Sequence, residues 1–206
     1  MVVISSSIIG ESDHEGNPNN VENWNRQYSN EWKDGLGTCN MLYRLAADYI
    51  EDGSSVLDIG GGIGDSIQVL LRERPNCNVT VLDISDEACE IGRGKYPNVK
   101  YIASEFLEWE CNEVYDHITA DEVLEHFDRP DIAMDKIMSL VKKDGTVTLG
   151  VPHEDQVYYW HQHRFSHESY HFFKQYSKWV SFSDDSPLTK DGDTSQVHIY
   201  VKLVKE

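Results

Sequence analysis

Short apolar runs and helical apolar spacings take turns along the middle of this chain. Ser55 to Ile59, Val79 to Asp83, Val99 to Ala103, His117 to Ala120 and Gly145 to Val151 read as five buried strands. Between them, Ser66 to Arg74, Asp86 to Tyr96 and Asp131 to Lys142 carry apolar residues at three- and four-residue spacing, the mark of helices. Pro75 and Pro97 close the first two. Alternation at this spacing predicts parallel βαβ units. Right-handed crossovers then give a doubly wound sheet with helices on both faces.

The flanks read differently. Residues 10 to 23 have loop chemistry, rich in Gly, Asn, Asp, Glu and Ser. Trp24, Tyr28 and Trp32 recur every fourth residue and share one helical face. That face either packs on the core or forms a lid over a ligand, in which case Tyr28 joins the ligand contacts. Met41 to Ile50 predicts an amphipathic helix with Leu42, Leu45, Ala46, Tyr49 and Ile50 on its apolar face. Toward the end, His167 to Tyr176 predicts a further helix, and Lys178 to Phe182 and Val197 to Val204 predict two strands. In the last of these Val197, Ile199, Val201 and Leu203 alternate, which suggests an antiparallel hairpin at the sheet edge.

Composition narrows the setting. A chain of 206 residues fits one domain, with residues 1–37 as an N-terminal segment or lid and 38–206 as the body. The net charge of −18 argues against a nucleic-acid partner, which calls for a basic surface. Cys39, Cys77, Cys89 and Cys111 form no C-x-x-C pair, so they read as reduced thiols in a cytoplasmic protein. Residues 1 to 9 lack a basic n-region and a cleavage site, and no apolar run nears the roughly 20 residues of a membrane span.

The chemistry starts at Val56-Leu57-Asp58-Ile59-Gly60-Gly61-Gly62-Ile63-Gly64-Asp65. A strand ending in glycines and feeding a helix is a nucleotide-cradling turn. As a dinucleotide fingerprint it fails, because the third glycine position falls on Asp65. It fits D-x-G-x-G-x-G through Asp58, Gly60, Gly62 and Gly64. An acid two residues before the first glycine suits a ligand presenting an ammonium group. Asp83 ends the next strand, where a carboxylate can accept from both ribose hydroxyls. Ser85 and Asp86 are there to cap the following helix instead.

With these residues the chain resembles the class I S-adenosylmethionine-dependent methyltransferases from about Val56 to Val151. Val56 to Gly64 is similar to that family's first motif and Val81 to Asp83 to its second. Ala103 to Phe106 stands where the family often contacts adenine, with Glu105 in place of the commoner Asp. Tyr115 to His126 resembles the fourth motif. Lys142 to Leu149 resembles the element that follows it, with Asp144 where Pro is more usual. The resemblance implies a Rossmann-like three-layer fold: a seven-stranded, mostly parallel sheet with an antiparallel terminal strand. It implies S-adenosylmethionine as cofactor. Asp58 with Gly60, Gly61 and Gly62 would hold the methionine part and Asp83 the ribose. Ile84, Glu105 and Phe106 would surround adenine, and Ala120 and Asp121 would lie near the sulfonium.

Two further clusters bear on the acceptor. Glu122, Glu125 and His126 would share a face of a short helix after the fourth strand. Similar E-x-x-E-H runs in the ubiquinone-pathway and small-RNA O-methyltransferases imply a divalent metal; many small-molecule methyltransferases carry a loose version without one. His126, His153, His161 and His163 are candidate general bases, since imidazole titrates near neutrality. Tyr158, Tyr159, Trp160 and Phe165 interleave with them as an aromatic pocket would. The expected function is methyl transfer to a small molecule, most readily at oxygen, without nucleic acid or membrane. The alternatives are a non-catalytic S-adenosylmethionine-binding or regulatory partner protein and an NAD-binding oxidoreductase.

Overall fold

Asp58 sits directly beside Thr119 in a parallel pair of strands, at the centre of the sheet that organises the protein. A computed structural model describes residues 17–30, 32, 41–152, 160–163, 165, 169–177, 180–185 and 198–206. The strands are β1 (Ser55–Ile59), β2 (Asn78–Asp83), β3 (Lys100–Ala103), β4 (Tyr115–Asp121), β5 (Val141–Pro152), β6 (Val180–Asp185) and β7 (His198–Val204). Their order across the sheet is β3-β2-β1-β4-β5-β7-β6. β1 to β5 pair in parallel, and β7 runs antiparallel to both β5 and β6. The α/β class, the mostly parallel sheet and the reversed β7 are those expected.

The helices are α1 (Val21–Asn30), α2 (Met41–Ala47), α3 (Ile67–Glu73), α4 (Asp86–Lys95), α5 (Pro130–Leu140) and α6 (Tyr170–Lys174). Side chains alternate across a strand, and β1 uses both faces for burial. Val56, with Val79 and Val81 of β2, packs with Leu42, Tyr43, Ala46, Ile67, Leu70 and Cys89 of α2, α3 and α4. Leu57 and Ile59 face the other way, onto Ala133, Met134, Ile137 and Leu140 of α5 and Phe172 and Phe173 of α6. Helices therefore cover both faces. Fully buried side chains such as Leu57 each contribute about 1.5–3 kcal/mol to this packing.

Several boundaries differ from the sequence pattern. α5 stops at Leu140 because Val141 already pairs with Tyr115. β5 therefore absorbs the Lys142 to Gly145 stretch, with Asp144 in the left-handed region at φ 62°. α2 ends at Ala47, and Tyr49 is 45% exposed rather than on the apolar face. Its ring instead lies 3.2 Å below the Lys202 ammonium, a cation–π contact. Leu42, Ala46 and Ile50 are buried as expected, and Tyr43 and Ala47 are buried beside them. The start of the helix predicted from His167 lies outside the described residues.

Candidate active site

The chain runs from β1 to β2 and β3 on one side, then returns to β4 and β5 on the other. Ligands in open α/β sheets bind at such a reversal, beyond the carboxyl ends of the strands. The glycine turn follows β1, Asp83 ends β2, Ala103 to Phe106 follows β3, and Asp121 to His126 follows β4. One edge of the sheet gathers them all.

Asp58 is completely buried. Its Oδ1 accepts from Tyr43 Oη at 2.8 Å and from Thr119 Oγ1 at 2.6 Å. Its Oδ2 has no hydrogen-bond partner among the described residues. A Cβ on Gly61 would collide with that oxygen, so the turn needs glycine there to pass over the carboxylate. Burial raises the Asp58 pKa to about 7, against the pull of the Thr119 and Tyr43 hydrogen bonds. Oδ2 is thus a buried acceptor that no described residue meets.

Asp83 is buried as well, and its carboxylate ties two turns together. Oδ2 accepts from Gly62 N at 2.8 Å and Oδ1 from Ser85 N at 2.8 Å. Each oxygen keeps a second lone pair. Burial lifts its pKa to about 6. Ser85, as the sequence allows, caps α4 by accepting from Ala88 N at 3.0 Å.

The N-terminal aromatic face does two jobs. α1 packs on α4, with Tyr28 buried against Ile63 and Ala88. The Tyr28 hydroxyl also stands over Gly62, close enough that a Cβ there would strike it. Trp24 packs edge-on against His126 at 5.3 Å, which joins this face to the turn after β4.

On the far side, Phe106 is buried and its ring lies 5.9 Å from Phe127. Lys136 of α5 reaches under this loop and donates to the carbonyls of Phe106 at 2.6 Å, Leu107 at 3.1 Å and Trp109. Glu105 accepts from Glu108 N at 2.8 Å, so its carboxylate stabilises the turn it begins. Ile84 is half-buried beside Asp83, and Ala120 is buried at the end of β4. Asp121 is half-buried opposite Gly150 of β5.

The turn after β4 departs from expectation. Glu122 does not begin a helix; it takes a left-handed backbone at φ 55°, and only Leu124 to His126 form a single 3-10 turn. Glu122, Glu125 and His126 therefore share no helical face. Among the described residues, the side chains that come together are instead Glu125, His126 and His161, whose ligand atoms lie within 4.8 Å of one another. Glu125 is completely buried and neither carboxylate oxygen has a hydrogen-bond partner among the described residues. Its pKa is pushed well up, by burial first and then by the charges of Glu122 and Asp121.

The histidine candidates separate. His126 Nδ1 sits 3.2 Å from the Trp160 carbonyl, and burial, with His161 nearby, lowers its pKa to about 4. An imidazole so disposed is a weak proton acceptor near neutrality. His161 is buried, with its ring 5.2 Å from that of His126. His163 Nε2 lies 3.1 Å from the Asp128 carbonyl. His153, Tyr158 and Tyr159 lie outside the described residues. Tyr43, Thr119 and Lys136 were not legible as site residues in the sequence. Tyr43 and Thr119 carry no sequence signal that ties them to Asp58.

A family profile described as a methyltransferase domain matches residues 26–189. The chain belongs to the class I S-adenosylmethionine-dependent methyltransferases. Among relatives of this family member, (S)-coclaurine N-methyltransferase of Papaver somniferum is 32% identical over 101 residues, 47% of this chain and 29% of that enzyme. Malonyl-[acyl-carrier protein] O-methyltransferase of Acetivibrio thermocellus is 27% identical over 96 residues, 46% of this chain and 34% of that enzyme. The match thus spans about a third of the length of these curated relatives, and they differ in the atom methylated. The N-methyltransferase NodS of Bradyrhizobium japonicum WM9, solved with S-adenosyl-L-homocysteine, superposes with a TM-score of 0.71. It is 16% identical, over 90% of this chain and 97% of that one, a likeness of fold.

Proposed function

We propose that this chain transfers a methyl group from S-adenosylmethionine to a small-molecule acceptor, with oxygen as the receiving atom. The observation that carries the reading is Asp58: a buried carboxylate with one oxygen held by Tyr43 and Thr119 and the other, beneath Gly61, without a hydrogen-bond partner among the described residues. An amino-acid nucleoside brings the ammonium such an oxygen wants. In this reading Asp58 and the backbone of Gly60, Gly61 and Gly62 hold the methionine part. Asp83 accepts from the ribose, Ile84 and Phe106 flank adenine, Tyr28 closes over the turn, and Ala120 and Asp121 lie near the sulfonium. The bound donor supplies a methyl group already activated for transfer. The chain then contributes alignment of the acceptor and, for a hydroxyl, a route for its proton.

The net charge of −18 supports a small acceptor over a nucleic acid. Oxygen rests on the resemblance of the Glu122 to His126 run. A cytoplasmic setting is part of the proposal, supported by the free thiols of Cys77, Cys89 and Cys111; no helix among the described residues is long and apolar enough to cross a membrane.

Calorimetry of the full chain with S-adenosylhomocysteine, followed by transfer of a labelled methyl to hydroxyl, carboxyl and amine acceptors, tests the reading. The expected result is one donor site per chain and label on oxygen. No binding of either sulfur nucleoside overturns it. Label on nitrogen keeps methyl transfer and overturns oxygen. Binding without turnover on any acceptor class moves the assignment to a non-catalytic donor-binding protein.

A further inference from the structure

We propose that Tyr43 and Thr119 are positioning residues for the amino group of the methyl donor, acting through Asp58. They hold one carboxylate oxygen so that the other alone addresses the ligand. The proposal rests on the donor reading above and adds to it how the acid is aimed. Neither hydroxyl needs to touch the donor.

The argument is an asymmetry. Tyr43 Oη and Thr119 Oγ1 arrive from different elements, α2 and β4, and both donate to the same oxygen, Oδ1, at 2.8 and 2.6 Å. Two donors use up both lone pairs of that oxygen. Oδ2, equally buried, has no partner among the described residues. A purely structural arrangement would spread two hydroxyls over two oxygens, since a buried acceptor left unmet costs stability. Thr119 has another acceptor close by, the Leu57 carbonyl at 3.5 Å, yet its shorter contact is to Asp58.

The glycine turn does not relieve Oδ2 either. Gly60 N donates to the Leu82 carbonyl at 2.7 Å, Gly62 N to Asp83 Oδ2 at 2.8 Å and Gly64 N to the Gly61 carbonyl at 3.0 Å. All three of these backbone donors pass Asp58 by. The carboxyl group is therefore fixed at one oxygen and open at the other, and its rotation is stopped from two sides.

The same two hydroxyls decide the charge of the acid. The titratable groups facing Asp58 are Asp83 from β2, Tyr28 from α1, Tyr101 from β3 and Tyr43 from α2, and Asp121 at the end of β4 faces Tyr43. None of these is a cation. Burial and Asp83 oppose ionisation of Asp58, while the Thr119 and Tyr43 hydrogen bonds favour it. Tyr43 serves only as a donor, because burial and then the Asp58 charge hold its own proton firmly. Removing either hydroxyl thus makes the acid harder to ionise and frees it to turn. Both effects fall on the ligand's ammonium and spare its nucleoside part.

The test compares two ligands on the full chain by calorimetry: S-adenosylhomocysteine, and methylthioadenosine, a thioether nucleoside without the amino acid. Tyr43→Phe and Thr119→Val each remove one hydroxyl and keep the shape of the side chain, and circular dichroism checks the fold. Each should weaken S-adenosylhomocysteine about tenfold at neutral pH and leave methylthioadenosine within about twofold. Each should also move the rise of S-adenosylhomocysteine affinity with pH upward by about one pH unit. Thr119→Ser, which restores a hydroxyl, should return both the affinity and the profile. Equal weakening of the two ligands with the pH profile in place would make the hydroxyls structural and overturn the proposal. Unchanged S-adenosylhomocysteine affinity in both folded variants would overturn it too. An unmodified chain that binds both ligands equally would remove Asp58 from the ammonium, and this proposal with it, while the donor class stands. An unmodified chain that binds neither would sink the donor reading itself.

Discussion

Asp83 holds the glycine turn from a neighbouring strand: its Oδ2 accepts from Gly62 N at 2.8 Å while Oδ1 accepts from Ser85 N. The acid assigned to the ribose is thus also the clasp between the loops after β1 and β2. On that assignment, binding and folding share one carboxylate.

Asp83→Ala should therefore cost both. It strands two backbone donors, each at about 1–3 kcal/mol when buried and unmet. We expect chemical denaturation to show a loss of about 2–4 kcal/mol. Calorimetry should show S-adenosylhomocysteine affinity down at least tenfold. Asp83→Asn keeps one acceptor oxygen and should lose less stability. Full affinity in a folded Asp83→Ala protein would mean that the ribose assignment is wrong.

Asp58 predicts a pH dependence. Its pKa is about 7 in the folded chain and about 3.9 when unfolded. A raised pKa on an acid means that its contribution to stability is full below about pH 4. That contribution is lost as pH rises through about 7. A ligand ammonium selects the ionised form, so S-adenosylhomocysteine affinity should climb from pH 5.5 to about 7 and then level off. Asp58→Asn keeps an acceptor for Tyr43 and Thr119. It should raise the melting temperature of the unliganded chain at pH 8 and lower affinity by at least tenfold. It should also flatten the pH profile. A wild-type slope in that variant would assign the titration to another group.

Gly62→Ala tests the contact between α1 and the turn. Gly62 has φ 55°, and a Cβ there would strike the Tyr28 hydroxyl. Strain at a non-glycine residue in this region costs on the order of 1–3 kcal/mol. We expect a fall in stability of that size and a weakened donor site, while Gly94→Ala, which meets no atom within 4 Å, should be silent for binding. Tyr28→Phe in the Gly62→Ala background should restore part of the loss.

What was legible in the sequence was whatever repeats locally. The βαβ alternation, the glycine turn after Asp58 and the acid at Asp83 are patterns within a few residues, and the structure gathers them at one edge of the sheet. Contacts that depend on pairing across the sheet were not legible. Thr119 meets Asp58 only because β1 and β4 are neighbours in register. Tyr43 arrives from a helix whose buried face is wider than the expected one, taking in Tyr43 and Ala47 beside Leu42 and Ala46. The turn after β4 misled for a different reason: E-x-x-E-H spacing presumes a helix, and the left-handed backbone of Glu122 breaks it. His161 joins Glu125 across 36 positions, through backbone hydrogen bonds that no side-chain pattern announces.

Lys136 offers the sharpest separation of positioning from chemistry. Its ammonium donates to three carbonyls of the loop that carries Phe106 and lies 5.1 Å from the Phe106 ring centre, so of the residues assigned to the donor it contacts Phe106. Lys136→Met keeps the aliphatic stem and removes the donors. The freed carbonyls are part-buried, and the stability loss should be about 1–2 kcal/mol. The loop then no longer fixes Phe106 against Phe127. If Phe106 flanks adenine, KM for S-adenosylmethionine should rise severalfold while kcat stays within about twofold, because ground-state and transition-state binding of the adenine weaken together. Lys136→Arg should recover part of the affinity, since it restores a cation that can donate to more than one carbonyl. A fall in kcat with KM unchanged would instead assign this loop to the acceptor.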